Sequence, residues 1–248
     1  MNSVLRTLLS TDWIKDCSAT IPDIDTAYSV QDEVMTEISK SHGGFAGCKI
    51  AFNTPTILEK LGIEKPAIGR ILADQVYESG VMLDAGKYQK FMIEPEIAAV
   101  LGEGLPQGEH ISVERAEAAV DRYFPAFELL DRRNFEGMMH VPTVIAHNVF
   151  NAGIVCGGPG LAPKDFDWHA VETICSDSGE IIVQGTGVAP QNPAEAVASI
   201  ANHFIARGQS LPEGTLLLLG AHCPLYKVES GREMRLSLGA LGEVSFST

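Results

Sequence analysis

The chain has 248 residues, enough to bury a full core, with 45% hydrophobic and 20% charged content, the balance of a water-soluble globular protein. Its net charge of −14 argues against nucleic acid or anionic membrane as a partner, because both need a basic surface. An anionic substrate would need a local cation, either a metal ion or a lysine.

Cys17, Cys48, Cys156, Cys175 and Cys223 form no C-x-x-C pair and are odd in number. That pattern fits a reducing compartment rather than a disulfide or zinc framework. Met1 to Thr11 lacks the cationic, apolar and small-residue parts of a secretory signal, and apolar runs such as Leu216 to Leu219 are too short to span a bilayer. A cytoplasmic protein is expected.

In chain order, Ile24 to Ser39 reads as an amphipathic helix, with Ile24, Ala27, Tyr28, Val34 and Ile38 on one face. Gly43-Gly44 ends it, and Gly47 to Phe52 reads as a short buried strand. Thr54-Pro55 opens a short helix to Leu61, Ile71 to Val76 leads to a further segment, and Val81 to Ala85 begins a set of strands. Val113 to Val120 reads as a helix, interrupted before Phe124-Pro125. Strands are expected at Ala152 to Val155 and Ile181 to Val183, with turns at Gly157 to Gly160 and Ser178-Gly179. Pro193 to Arg207 is the clearest long helix, with proline in its first turn and Gly208 beyond its end. Leu216 to Leu219 is a buried strand, and Met234 to Leu238 and Val244 to Phe246 alternate around Gly239 to Gly242. No repeat or linker divides the chain. The order favours an α+β fold, with residues 1–248 as one catalytic domain and 1–80 as its helical, short-strand N-terminal portion.

The chemistry concentrates in Phe91 to Val100, an almost wholly apolar run that carries Glu94-Pro95-Glu96. On a strand, residues i and i+2 share a face, so both acids enter one cavity. Two carboxylates so close resist joint ionisation unless a cation holds them. Glu128, inside Pro125 to Leu130, has a similar apolar setting. Three carboxylates with no His or Cys nearby favour a hard ion, Mg²⁺ or Mn²⁺. The bland alternative is a solvated face, with Pro95 marking an edge strand. A lone lysine, Lys49, in the uncharged run Gly47 to Phe52 is either a snorkelling surface residue or a buried cation that needs anionic partners.

Many short segments, in order and along nearly the whole chain, carry a resemblance to the 2-keto-4-pentenoate hydratase and 4-oxalocrotonate decarboxylase group of the fumarylacetoacetate hydrolase superfamily. They include Ala27 to Gln31, Gly47 to Ile50, Leu61 to Pro66, Leu72-Ala73-Asp74, Ile93 to Ala98, Pro125 to Arg133, Ala146-His147-Asn148 and Leu219 to His222. The resemblance implies a mixed β-roll flanked by helices, a metal held by Glu94, Glu96 and Glu128, and homo-oligomer formation. It also implies 2-oxo or 2-hydroxy unsaturated acids as substrates, from aromatic catabolism. By family position Lys49 holds the substrate carboxylate or delivers a proton, Asp74 pairs with Lys49, and Arg133 locks Glu128 or another acid from behind.

The chain departs from the family around the expected pocket. His147-Asn148-Val149-Phe150 stands for Asp-Asn-Ala-Ser, which makes His147 a candidate acid–base group or a structural imidazole. Gln191-Asn192-Pro193 stands for Gly-His-Pro, Leu219-Gly220 for Thr-Gly, and Ala51 for a glycine. The first expectation is a metal-dependent hydratase of a 2-hydroxy-2,4-dienoate. Decarboxylation of a 2-oxo-dioic acid and a non-catalytic binding homologue remain open, and acylpyruvate hydrolysis ranks lower because no His-Glu dyad occupies a matching position.

Overall fold

The structure is a computed structural model that describes residues 3–10, 12–133, 135 and 140–248. Met1, Asn2 and Thr11 of the N-terminal stretch read for a signal lie outside the described residues. The elements run α1 (Ser3–Leu9), α2 (Ile24–Ser39), β1 (Phe45–Ala51), α3 (Pro55–Leu61), β2 (Ala67–Leu72), β3 (Val76–Glu78), β4 (Val81–Met82) and β5 (Phe91–Leu101). They continue with α4 (Val113–Ala118), β6 (Val120–Asp131), α5 (Val141–Ala146), β7 (Asn151–Cys156), β8 (Gly158–Pro159), β9 (Glu172–Asp177) and β10 (Glu180–Thr186). The chain closes with α6 (Pro193–Ala206), β11 (Leu216–Ala221), β12 (Tyr226–Lys227), β13 (Glu233–Ser237) and β14 (Gly242–Ser247).

Two mixed sheets form the frame. The larger follows the order β2-β1-β11-β5-β6-β7-β3, with β12 also on β5; the smaller follows β10-β9-β13-β14-β4, with β8 on β14. Pairs β1–β11, β3–β7 and β4–β14 are parallel and the others antiparallel. This is the α+β, roll-like architecture expected from the resemblance. The larger sheet curls far enough for β2, at one end, to touch β7 near the other. Its inner face carries a small apolar cluster of Ile71, Ala98, Phe124, Ala126, Ile154 and Leu218. Its outer face joins the main core, where Phe127 meets Phe246 of the second sheet edge-to-face at 5.3 Å. Sharing one wall between two apolar layers keeps the paired strands β5 and β6 buried on both faces, so these strands read as continuous hydrophobic runs.

Helix ends follow ordinary capping chemistry. The side chain of Asp23 accepts from Thr26 N–H at the start of α2, and that of Thr54 from Ile57 N–H at α3. The side chain of Asn192 accepts from Ala194 N–H at the start of α6, and Pro193 lies in the first turn as the sequence suggests.

Two expectations change, and one alternative is removed. The helix read to Val120 stops at Ala118, and Val120 starts a twelve-residue strand, β6, that carries Glu128. The strands expected from Val81 shrink to two residues before a tight turn at Ala85–Lys87. Pro95 lies in a central strand rather than on an edge. Its carbonyl accepts from His222 N–H, and in a strand a residue's N and C=O point the same way, so its missing donor falls just past β11, which ends at Ala221.

Candidate metal centre

Register brings the acids together. Glu94 on β5 stands directly opposite Glu128 on β6, and Glu96 opposite Ala126. Residues opposite one another share a face, so all three carboxylates enter the inner side of the curled sheet. One oxygen from each lies within 4.8 Å of the others. Lys49 reaches the same face through a chain of paired positions: Lys49 beside Leu218, Leu218 beside Ala98. Across from Lys49 is Gly69, where a Cβ would sit 3.3 Å from the Lys49 stem and 2.9 Å from the Asn148 carbonyl. The missing side chain lets both approach.

Lys49 Nζ lies 3.1 Å from Glu128 Oε1, with both side chains at or below 1% exposure. The Asn151 amide donates to the same oxygen at 2.9 Å, and Gly220 N–H donates to Glu96 Oε2 at 2.8 Å. Glu96 Oε1 and Glu128 Oε2 are buried with no protein partner. Burial pushes the Glu94 carboxyl up to about 7, with the charge of Glu128 adding to the rise and Lys49 opposing it. Burial, then the charges of Glu128 and Glu94, hold Glu96 well above its ordinary range. Burial also raises Glu128, against the pull of Lys49 and Asn151. For Lys49, burial disfavours the charge, but Glu128, Glu94 and Glu96 together outweigh it and leave its pKa raised.

One lysine facing three carboxylates leaves this interior short of positive charge, and two buried carboxylate oxygens accept no hydrogen bond. A divalent cation on an all-oxygen donor set fits both facts. Glu94, Glu96 and Glu128 would hold it.

The remaining candidates fall elsewhere. Asp74 does not pair with Lys49: it sits in the turn Ala73–Gln75, half exposed, 2.9 Å from His42 Nδ1. Arg133 does not lock Glu128. Its guanidinium donates to the carbonyls of Thr7, Leu8 and Ser10 at the end of α1, with Asp131 at 3.9 Å, because unsatisfied helix C-terminal carbonyls attract a cation. His147 is buried, and its Nδ1 lies 2.8 Å from the Thr143 carbonyl. Burial lowers its pKa, so the ring is neutral near pH 7.

The loop that follows departs from ordinary backbone. Asn148, Val149 and Phe150 take φ of +55°, +50° and +62°, a costly run for residues with a Cβ and most of all for β-branched Val149. The Asn148 side chain pins this loop to β2, accepting from Arg70 N–H at 2.7 Å and donating to Arg70 C=O at 2.9 Å. The loop delivers Asn151 to Glu128. A cavity of about 260 Å³ opens here, bordered by His42, Tyr77, Lys87, Arg133, His147 and Asn151. A larger hollow of about 1320 Å³ lies between α2 and α6; neither cavity is lined by the three glutamates, and the smaller one meets the site through Asn151.

Sequence reasoning missed Asn151 and the amide of Gly220. The available signals were the altered loop ending at Phe150 and the glycine that closes the Leu216–Leu219 run.

A curled mixed sheet with three converging glutamates and a buried lysine defines a class of oxygen-ligand metal sites, and comparison with known proteins narrows it. Residues 72–247 match the model of the fumarylacetoacetate (FAA) hydrolase C-terminal family, and the chain belongs to that family. It is 29% identical over 227 residues to 2-keto-4-pentenoate hydratase 1 of Dechloromonas aromatica (strain RCB), covering 91% of this chain and 86% of that one. It is 30% identical over 210 residues to a 4-oxalocrotonate decarboxylase of a Pseudomonas species, covering 82% and 78%. In fold it is similar to the 4-oxalocrotonate decarboxylase of Pseudomonas putida G7 complexed with magnesium and adipate, with a TM-score of 0.90, 24% identity and 98% and 94% coverage.

Proposed function

We propose that this protein is a divalent-metal-dependent hydro-lyase that adds water to a 2-hydroxy-2,4-dienoate of the 2-oxo-4-pentenoate type. The carrying observation is the convergence of Glu94, Glu96 and Glu128, with two orphaned oxygens, beside buried Lys49. A bound Mg²⁺ or Mn²⁺ would supply Lewis-acid stabilisation of charge on the 2-oxo oxygen of an α-keto acid. Lys49 keeps positive charge at the site and is suited to anchor a substrate carboxylate or to pass a proton. His147, neutral and held by Thr143, is suited to accept one. Asp74 enters only through His42, at the cavity rim. Lys49 precedes the 72–247 match, which supports treating the whole chain as one catalytic unit.

Decarboxylation of a 2-oxo-dioic acid is the second reading, supported by the decarboxylase at 30% identity. Family resemblance supports a homo-oligomer, and the free cysteines suit a cytoplasmic setting. Among the described residues no helix is long and apolar enough to cross a membrane.

The test follows ultraviolet loss of 2-hydroxypenta-2,4-dienoate and a 2-oxo-hexenedioate with Mg²⁺, for wild type, for Glu96→Gln and in EDTA. Metal-dependent loss abolished by Glu96→Gln supports an enzyme, and a hydrated acid or CO₂ as product separates the two lyases. Binding of metal and substrate with no turnover would favour the non-catalytic homologue.

A further inference from the structure

The orientation of the Asn151 amide is settled by its neighbours. Its Nδ2 lies 2.9 Å from Glu128 Oε1 and 3.5 Å from Gly153 C=O, both acceptors, so nitrogen rather than oxygen must face them. The carbonyl oxygen, Oδ1, then points away, and it is buried with no partner in the protein. An orphaned acceptor at such a place needs a donor. Asn151 borders the 260 Å³ cavity, and so does His147. Because the Thr143 carbonyl can only accept, His147 Nδ1 must carry the proton, and Nε2 is left as a second acceptor. Lys49, on the same face as Glu128, is already engaged at Glu128 Oε1.

We infer that Asn151 Oδ1 and His147 Nε2 bind the two hydrogens of one water molecule and aim its oxygen lone pair at the substrate. This assignment rests on the hydro-lyase reading, which it deepens by giving the added water a site. A water has two donors to give, and two fixed acceptors leave its oxygen as the free nucleophilic end. In the addition step the water oxygen bonds to C4 of the ketonised substrate, and the C3=C4 electron pair moves towards the C2 carbonyl. One water proton passes to His147 Nε2. C3 takes up a proton as the C2 carbonyl re-forms, and His147 returns its proton, so the net change is addition of one H₂O. Ketonisation of the dienol, which comes first, uses no such water.

That separation provides the test. Ketonisation is read as deuterium incorporation into substrate in D₂O, and hydration as formation of the 4-hydroxy-2-oxo acid, both with Mn²⁺. Asn151→Ala and Asn151→Ser are compared with wild type, and Mn²⁺ affinity and thermal unfolding are followed on each. The expected result, read at saturating Mn²⁺, is a modest shared fall in Mn²⁺ affinity and exchange from the lost bond to Glu128, with hydration lowered about 10²-fold further, the effect of misplacing a reactant. If hydration falls only as far as exchange does, Asn151 serves only to hold Glu128 and the assignment is wrong. Unchanged hydration also overturns it. A high-resolution crystal structure of the wild type decides the point without turnover: a water bridging Asn151 Oδ1 and His147 Nε2 supports the assignment, and a protein donor or apolar contact on Oδ1 removes it. If the wild type handles no dienoate at all, the hydro-lyase reading falls, while the crystal structure still judges the water site.

Discussion

Substituting Glu94→Gln in metal-free protein turns the electrostatics of the site into a stability measurement. The Glu94 carboxyl is raised from 4.5 to about 7, mainly by burial and then by Glu128. A carboxyl raised on folding binds its proton more tightly in the native state. Its stabilising share is therefore complete below about pH 4.5 and is lost as the pH climbs through 7. At 1.36 kcal/mol per pH unit the loss is on the order of 3 kcal/mol, or about 10 °C in Tm for a chain of this size. Glutamine imitates the protonated acid and carries no such loss. The raw pH profile is unsuitable, because His203 and His222, pushed down to about 4 chiefly by burial, slope the opposite way below about pH 6.5. Both proteins share those histidines, so they cancel in the difference, which reports Glu94 together with the part of the Glu96 rise that its charge supplies.

The assay is urea unfolding of wild type and Glu94→Gln in EDTA from pH 4.5 to 8.5, repeated with saturating Mn²⁺. In EDTA the two should coincide near pH 4.5, and the variant should be the more stable by on the order of 3 kcal/mol near pH 8. With Mn²⁺ at pH 8 the gap should narrow towards zero, since wild type gains about 2.7 kcal/mol at a hundred times Kd and the variant gains less. A pH-independent difference in EDTA, or a gap at pH 8 that Mn²⁺ leaves unchanged, would refute both the repulsion among the glutamates and the cation they are taken to hold.

Lys49→Met in EDTA at pH 8 should lose about 3–5 kcal/mol in urea unfolding, the penalty for stranding one partner of a buried pair. Lys49 is raised above 10.5, so its contribution is intact across the working range, and a loss under about 1 kcal/mol would contradict the buried pair. Gly220 has φ +118°, and a Cβ there would lie 2.4 Å from Asn53 Nδ2, so Gly220→Ala should cost about 1–3 kcal/mol and weaken Mn²⁺ binding by displacing the N–H on Glu96. Arg133→Ala should speed amide exchange in α1 and leave Mn²⁺ affinity within about twofold, as expected for a guanidinium whose bonds go to the α1 carbonyls and not to the three glutamates. Lost Mn²⁺ affinity with α1 still protected would restore Arg133 to the carboxylates.

Legibility from the sequence divides at the range of the interaction. Glu94 and Glu96 are readable because strand alternation is local, and α2 and α6 because caps and periodicity are local. Glu128 is readable as an acid in an apolar run, but its place opposite Glu94 is a matter of register between strands distant along the chain. Lys49 and Asp74 fail as a pair for the same reason: which acid meets a lysine depends on which strands are neighbours, and β1 is paired with β2 and β11 while Asp74 turns outward to His42. Helix period misleads at Val113–Val120, where a two-turn helix runs straight into β6.

The bland alternative for Pro95, an edge strand, fails for a reason that Pro125 shares. Both prolines lie inside the sheet, where each withholds a ladder donor just past the end of a neighbouring strand. The Pro95 carbonyl accepts from His222 N–H beyond β11, and the Pro125 carbonyl from Gly157 N–H beyond β7. The adjoining strands stop there, and β11 gives way to β12 across the stretch that holds Glu94 to Glu96. A proline between two acids in an apolar strand is therefore informative about the gap beside it. The ladder is interrupted next to Glu96, which frees Gly220 N–H to bond the carboxylate rather than a backbone carbonyl.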